Sequence, residues 1–200
     1  NTIFWWWERP GAQVMKITDA IKVFSALDRK GRAVYLNTDL RSLFHKDGDK
    51  AFAEGLRRLV DKGILNRAAK GVYIYALSAQ PKTHLIEKIA SFLRRGEYNY
   101  VSLESALSEY GRISQIPVDR ITVMTTGRKA EISTPYGTIE FTHTARPVHD
   151  ILAGTKDVGR PLRLATEETA LRDLRRVGRN LALVLEPEDD DDFHMEDPCP

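Results

Sequence analysis

Six side chains of this sequence have the type and spacing to grip a polyanion: Thr38, Lys50, Arg57, Arg58, Arg67 and Lys70. Phe52, Leu56, Leu59 and Val60 recur at helical spacing, which makes one stripe apolar and turns Lys50, Arg57 and Arg58 outward. An arginine on such a face can fork onto guanine O6 and N7 in a major groove, or onto a phosphate. Lys50 sits nearer the helix start, where base edges are commonly read. Asn37 and Thr38 open the preceding helix and can offer a backbone N–H and a hydroxyl to phosphate. Arg67 and Lys70 belong to a tight hairpin that can reach a phosphate or the minor groove. Glu54 and Asp61 share the outward helix face and oppose phosphate unless they accept from cytosine N4 or pair with the neighbouring arginines. The competing use of such a face is plain solvation.

For catalysis the sequence is poor. His143 and the pair His149-Asp150 come closest to a reactive set, yet five residues including Pro147 separate the histidines, and no third ligand stands at a recognised spacing. Thr125-Thr126-Gly127-Arg128-Lys129 could form a phosphate-cradling nest, but it lacks the glycine pattern and following helix of a phosphate loop and reads as a hairpin turn. Neither a nucleophile-elbow nor a zinc-protease signature is present. No catalytic residue, metal or cofactor is therefore expected.

The elements that must position the six side chains follow from periodicity. Ile17, Ile21, Phe24 and Leu27 predict an amphipathic helix that Gly31 ends, and Ala33 to Leu36 reads as a short strand. Asn37 or Thr38 then caps a short helix containing Leu40, Leu43 and Phe44, and His45 to Gly48 is a polar turn. The helix from Lys50 to Lys62 stops at Gly63, and two β-prone runs, Ile64 to Arg67 and Val72 to Tyr75, close on the Lys70-Gly71 turn. Helix, strand, helix, turn, helix, hairpin is the order of a winged helix-turn-helix.

Beyond Pro81, a helix is expected from Lys82 to Arg95. An extended run from Tyr98 to Val101 leads to a helix capped by Ser102. Three β-like runs (120–125, 130–133 and 138–143) follow, then a helix capped by Thr166 and reaching Val177. The expected fold class is α+β: an N-terminal winged helix-turn-helix over residues 15–80, then a small α+β domain with an antiparallel sheet over 81–185. Residues 1–14, with Trp5-Trp6-Trp7, read as a flexible extension and 186–200 as a disordered acidic tail.

Composition narrows the partners. With 42% hydrophobic residues the chain can bury a core, and Cys199, its one cysteine, excludes a disulfide framework and a Cys-rich zinc site. There is no apolar run of about eighteen residues, and no leader is recognised, so a cytoplasmic protein without a membrane partner is expected. The net charge of +2 hides a segregation. Residues 15–96 carry 17 Lys and Arg against 8 Asp and Glu, 97–185 carry 12 against 11, and 186–200 carry 0 against 8. The first part is the one that should meet a polyanion.

The run from Leu56 to Leu65 with Ala69-Lys70-Gly71-Val72-Tyr73 resembles the N-terminal winged helix of AbiEi-type antitoxins from bacterial type IV toxin–antitoxin systems. Two further stretches, Tyr98 to Leu107 and Ala165 to Leu174, are similar to that family's second domain. The resemblance spans about residues 17–177. It implies an antitoxin whose winged helix binds repeats in its own promoter, on double-stranded DNA, and represses transcription. The second domain would then counteract a nucleotidyltransferase-fold toxin, AbiEii, which in that family does not require a stable complex between the two, so the resemblance leaves direct contact open. Other readings are a stand-alone winged-helix regulator, a nucleic-acid-processing enzyme subunit centred on His143, His149 and Asp150, and an interaction module that touches no DNA.

Overall fold

The computed structural model describes residues 15–113 and 119–185, so the tryptophan triplet and the acidic tail lie outside the described residues. Helix α1 (Ile17–Asp28) leads through strand β1 (Val34–Leu36) to α2 (Asn37–Leu43) and α3 (Asp49–Asp61). The hairpin β2 (Leu65–Ala69) and β3 (Val72–Tyr75) follows. β3 takes the centre of an antiparallel three-stranded sheet in the order β1-β3-β2. Phe24, Tyr35, Leu40, Phe52, Leu59, Leu65 and Tyr75 form the core between the helices and one face of this sheet. Phe24 sits at its centre, with ring centroids 5.2 Å from Tyr35 and 5.5 Å from Tyr75. Burial pushes the Tyr35 hydroxyl up to about 12, and that hydroxyl donates to the Arg32 carbonyl at 2.6 Å.

The opposite face is covered as well. Val34, Ala68, Val72 and Ile74 alternate with the helix-facing residues and join a second core built by the rest of the chain. Its elements are α4 (Leu85–Leu93), β4 (Asn99–Val101), α5 (Leu103–Glu109), β5 (Arg120–Thr125), β6 (Ala130–Thr134) and β7 (Gly137–His143). After them come α6 (Val148–Ala153), β8 (Thr155–Lys156), β9 (Arg163–Ala165) and α7 (Glu167–Val177), then a single 3-10 turn at Leu181–Leu183. No described helix is long and apolar enough to cross a membrane.

The expected small antiparallel sheet is instead a six-stranded mixed sheet, in the order β6-β7-β5-β4-β9-β8. β5 and β7 are parallel, as are β4 and β9. Burial explains the arrangement. β7 buries Ile139, Glu140 and Phe141 in succession, as a strand covered on both faces does, and it pairs on both edges, whereas β6 alternates between half-buried and exposed and lies at an edge. The chain therefore leaves β5, passes the β7 position, and returns into it through a tight turn. Gly137 permits that return: at φ +119°, a Cβ there would lie 2.9 Å from the Asp119 carbonyl oxygen. Helix α6 and strands β8 and β9 carry no periodicity long enough to announce them.

Two caps differ from expectation. Neither Asn37 nor Thr38 caps α2; Leu36 precedes the helix and its N–H is taken by the Asp39 carboxylate at 3.0 Å. Ser102 precedes α5 but donates its hydroxyl to Asp173 at 2.8 Å, a buried carboxylate and hence the stronger acceptor. Thr122 Oγ1 accepts the Ser105 N–H at 3.1 Å in its place. The predicted stop of α3 holds: Gly63 has φ +67°, and the Ile64 and Gly63 amides return to the Leu59 and Val60 carbonyls at 2.9 Å each.

Candidate functional site

Helix α3 buries Phe52, Gly55, Leu56 and Leu59 and leaves Lys50, Glu54, Arg57 and Asp61 exposed. Gly55 lets Met15 approach, since a Cβ there would stand 3.1 Å from the Met15 Cβ. Lys50 and Arg57 have no carboxylate within ion-pair distance among the described residues, so Glu54 and Asp61 do not pair with them and stay on the outward face. Arg58, expected to face outward with Lys50 and Arg57, is instead half-buried, because it follows Arg57 by one helical step toward the apolar stripe; its Nε and Nη2 are shielded from solvent with no hydrogen-bond partner among the described residues. A shielded donor of this kind is costly until an acceptor arrives.

The turn between α2 and α3 is held by Arg41. Its guanidinium donates to the Asp47 carbonyl, pairs with Asp49 at 2.7 Å, and lies 5.2 Å from the Phe52 ring centroid. Asp47 in turn accepts the Met15 N–H at 3.0 Å. The angle at which α3 leaves α2 is thus set by contacts within the turn.

Arg67 and Lys70 are exposed. Arg67 pairs in register with Tyr73, on the sheet face that carries the helices. Lys70 tips the hairpin, whose Gly71 carbonyl accepts the Asn37 N–H at 2.8 Å. That bond consumes the Asn37 amide expected to serve a phosphate; Thr38 remains exposed beside it.

The sequence reading missed the charge cluster next to this corner. Asp39 receives Arg95 through both carboxylate oxygens, at 2.7 and 2.9 Å, and Arg32 at 3.3 Å. The Arg95 hydrogen bond, opposed by burial, holds its carboxyl down at about 2. Arg95 lies 56 positions from Asp39, so no local pattern could have joined them; the Arg94-Arg95 doublet reads only as a helix end.

A second network escaped notice because its members also come from distant elements. Arg179 holds Glu104 at 2.9 and 3.1 Å and also binds Glu140, while Arg120 bridges Glu140 at 2.9 Å and Glu131 at 3.1 Å. Burial would raise the Glu140 carboxyl, but the bonds from Arg179 and Arg120 outweigh it and hold the group low. Glu104, Arg120, Glu140 and Arg179 line a cavity of about 290 Å³. Its cations and carboxylates are matched to one another, which leaves little field to draw a charged ligand.

The histidines are not assembled into a centre. His143 ends β7, where its Nδ1 faces the Gly127 carbonyl at 2.9 Å, whereas His149 on α6 is 82% exposed and meets Asp150 at 3.0 Å. Among the described residues, no group of three or more His, Cys, Asp or Glu side chains is placed to hold a metal ion.

No protein-family model and no curated protein matches the chain. Among solved structures it is similar to the RV2827C protein from Mycobacterium tuberculosis, at 20% identity and a TM-score of 0.42. The match covers 70% of this chain but spans only half the length of that protein.

Proposed function

We propose that this chain is a winged-helix DNA-binding protein that represses its own promoter, and that it is the antitoxin of a type IV toxin–antitoxin system. In this reading α1, α2 and α3 form the helical part, the β2–β3 hairpin is the wing, and α3 enters the major groove. The observation that carries it is the outer face of α3, where Lys50 and Arg57 stand exposed and unpaired among the described residues. Arg67, opposite Tyr73 on the same side of the sheet as the helices, and Lys70 at the tip supply the wing contacts.

The antitoxin part rests on the three stretches that resemble that family. Two of them are structural partners: Tyr100 and Ser102 both donate to Asp173 of α7, at 3.1 and 2.8 Å. These contacts make the two stretches parts of one scaffold. Counteraction of a nucleotidyltransferase-type toxin is tested by co-expression with the product of the adjacent gene; growth that is not restored refutes it.

For DNA, the test is titration of a labelled duplex carrying the sequence immediately upstream of its own gene. Binding should weaken steeply with salt, and Arg57→Ala with Arg58→Ala should cost about 1–3 kcal/mol per specific base contact. An unchanged affinity in that double variant removes α3 as the reading helix.

A further inference from the structure

We propose that the DNA-binding surface does not end at the hairpin but continues onto the second half of the chain, where Arg128 and Lys129 in the β5–β6 turn grip backbone phosphates flanking the site of α3. The inference rests on the DNA reading above and extends it to a turn that sequence reasoning set aside.

Continuity follows from direct contacts. The hairpin tip at Lys70-Gly71 is bonded to Asn37 at the start of α2, and two residues on, Asp39 holds Arg32 and Arg95. Arg95 follows the end of α4. Its neighbour Arg94 donates to the Arg128 carbonyl at 3.0 Å while its guanidinium lies 4.6 Å from the Phe141 ring centroid. Hairpin tip, α2 start, α4 end and β5–β6 turn are therefore linked contact by contact.

That stretch is strongly basic. Arg32, Lys70, Arg94, Arg95, Arg128 and Lys129 lie along it, against the carboxylates of Asp39 and Glu97. Asp39 is already shared by two arginines, and Glu97 accepts the Thr126 hydroxyl at 2.6 Å. Glu131, two residues past Lys129, is engaged by Arg120. Lys70, Arg128 and Lys129 are exposed and have no carboxylate partner among the described residues.

The turn is also held rigidly, which lowers the ordering cost of a contact made from it. Thr125 Oγ1 donates to Asn99 at 2.7 Å and accepts the Gly127 N–H at 3.0 Å; Thr126 Oγ1 accepts the Tyr98 N–H at 3.1 Å. With the Gly127 amide thus committed, a backbone nest for phosphate is not available there. Side chains must make the contact, a guanidinium fork from Arg128 and a point charge from Lys129.

The experiment is fluorescence anisotropy on the full chain, across a range of salt concentrations. The probes are a labelled duplex carrying the sequence immediately upstream of its own gene and a scrambled duplex of equal length. Arg128→Ala with Lys129→Ala should make the plot of log affinity against log salt shallower by about 1.8, two phosphate contacts at about 0.9 each. Both duplexes should weaken by the same factor, on the order of tenfold, because phosphate contacts carry no sequence information. Arg128→Glu with Lys129→Glu should weaken both further. Lys156→Ala, on the β8 edge at the far end of the sheet from β6, should change nothing. If the Arg128/Lys129 alanine variant keeps the wild-type slope while the Arg57/Arg58 variant loses affinity, the extension is wrong and the α3 reading stands. Equal weakening by Lys156→Ala also overturns it, since the effect would then be one of overall charge. If the wild-type chain shows no salt-dependent binding, the extension and the reading beneath it fall together.

Discussion

Replacing Asp39 by Asn should loosen the joint between α2 and the end of α4, and the size of the effect can be worked from the contacts. The carboxylate receives Arg95 at 2.7 and 2.9 Å and Arg32 at 3.3 Å, and its side chain is only 13% exposed. Its carboxyl is held at about 2 against an ordinary 3.8. A shift of that size corresponds to an upper bound of roughly 2.5 kcal/mol at neutral pH. Both arginines are 44% exposed, so screening reduces the contribution to about 1 kcal/mol. The sign follows from the depressed value: the stabilisation is complete above the unfolded-state value near 3.8 and is lost as pH falls through about 2. Other carboxylates titrate in the same window, so the assay is a double-mutant cycle with Arg95→Met, read by urea denaturation at pH 7 and again near pH 2. A coupling of about 1 kcal/mol at pH 7, weakened by salt and mostly lost near pH 2, is expected. Coupling below about 0.3 kcal/mol at pH 7, or coupling that survives acid unchanged, would refute the reasoning.

Two further substitutions probe the mixed sheet. Gly137→Ala places a methyl 2.9 Å from a backbone carbonyl at a positive φ, and should cost roughly 2 kcal/mol or more, seen as a lowered melting temperature. Asp173→Ala removes a fully buried carboxylate that accepts from Tyr100 and Ser102 and pairs with Arg146 at 2.7 Å. It should destabilise by about 3–5 kcal/mol in chemical denaturation, and Asp173→Asn by less, because the amide oxygen still accepts.

Much of the element order was legible from periodicity and punctuation. The apolar stripe of α3, its stop at Gly63, and the β2–β3 turn at Lys70-Gly71 each rest on interactions within a few residues, and such interactions leave a local trace. The cap at Thr166 is of the same kind: its hydroxyl accepts the Thr169 N–H at 3.3 Å, within one helical turn. Ser102 shows the limit of that logic. Its type and position signal a cap, but a carboxylate 71 residues away claims the hydroxyl.

By itself, the sequence determined most of the helical and extended segments, though not α6, β8 or β9, as well as where the cationic residues concentrate and that Lys50, Arg57, Arg67 and Lys70 stand outward. Periodicity requires only that one stripe of each element be buried, and that requirement is written locally. Tertiary structure alone decided that β7 inserts between β6 and β5, that the three-stranded sheet is covered on both faces, and that Arg95 reaches Asp39. The physical reason is that strand order and ion pairing are settled by competition among groups far apart in the chain. A strand covered on both faces suits the interior of a sheet, and a desolvated carboxylate takes whichever cation the fold brings within reach.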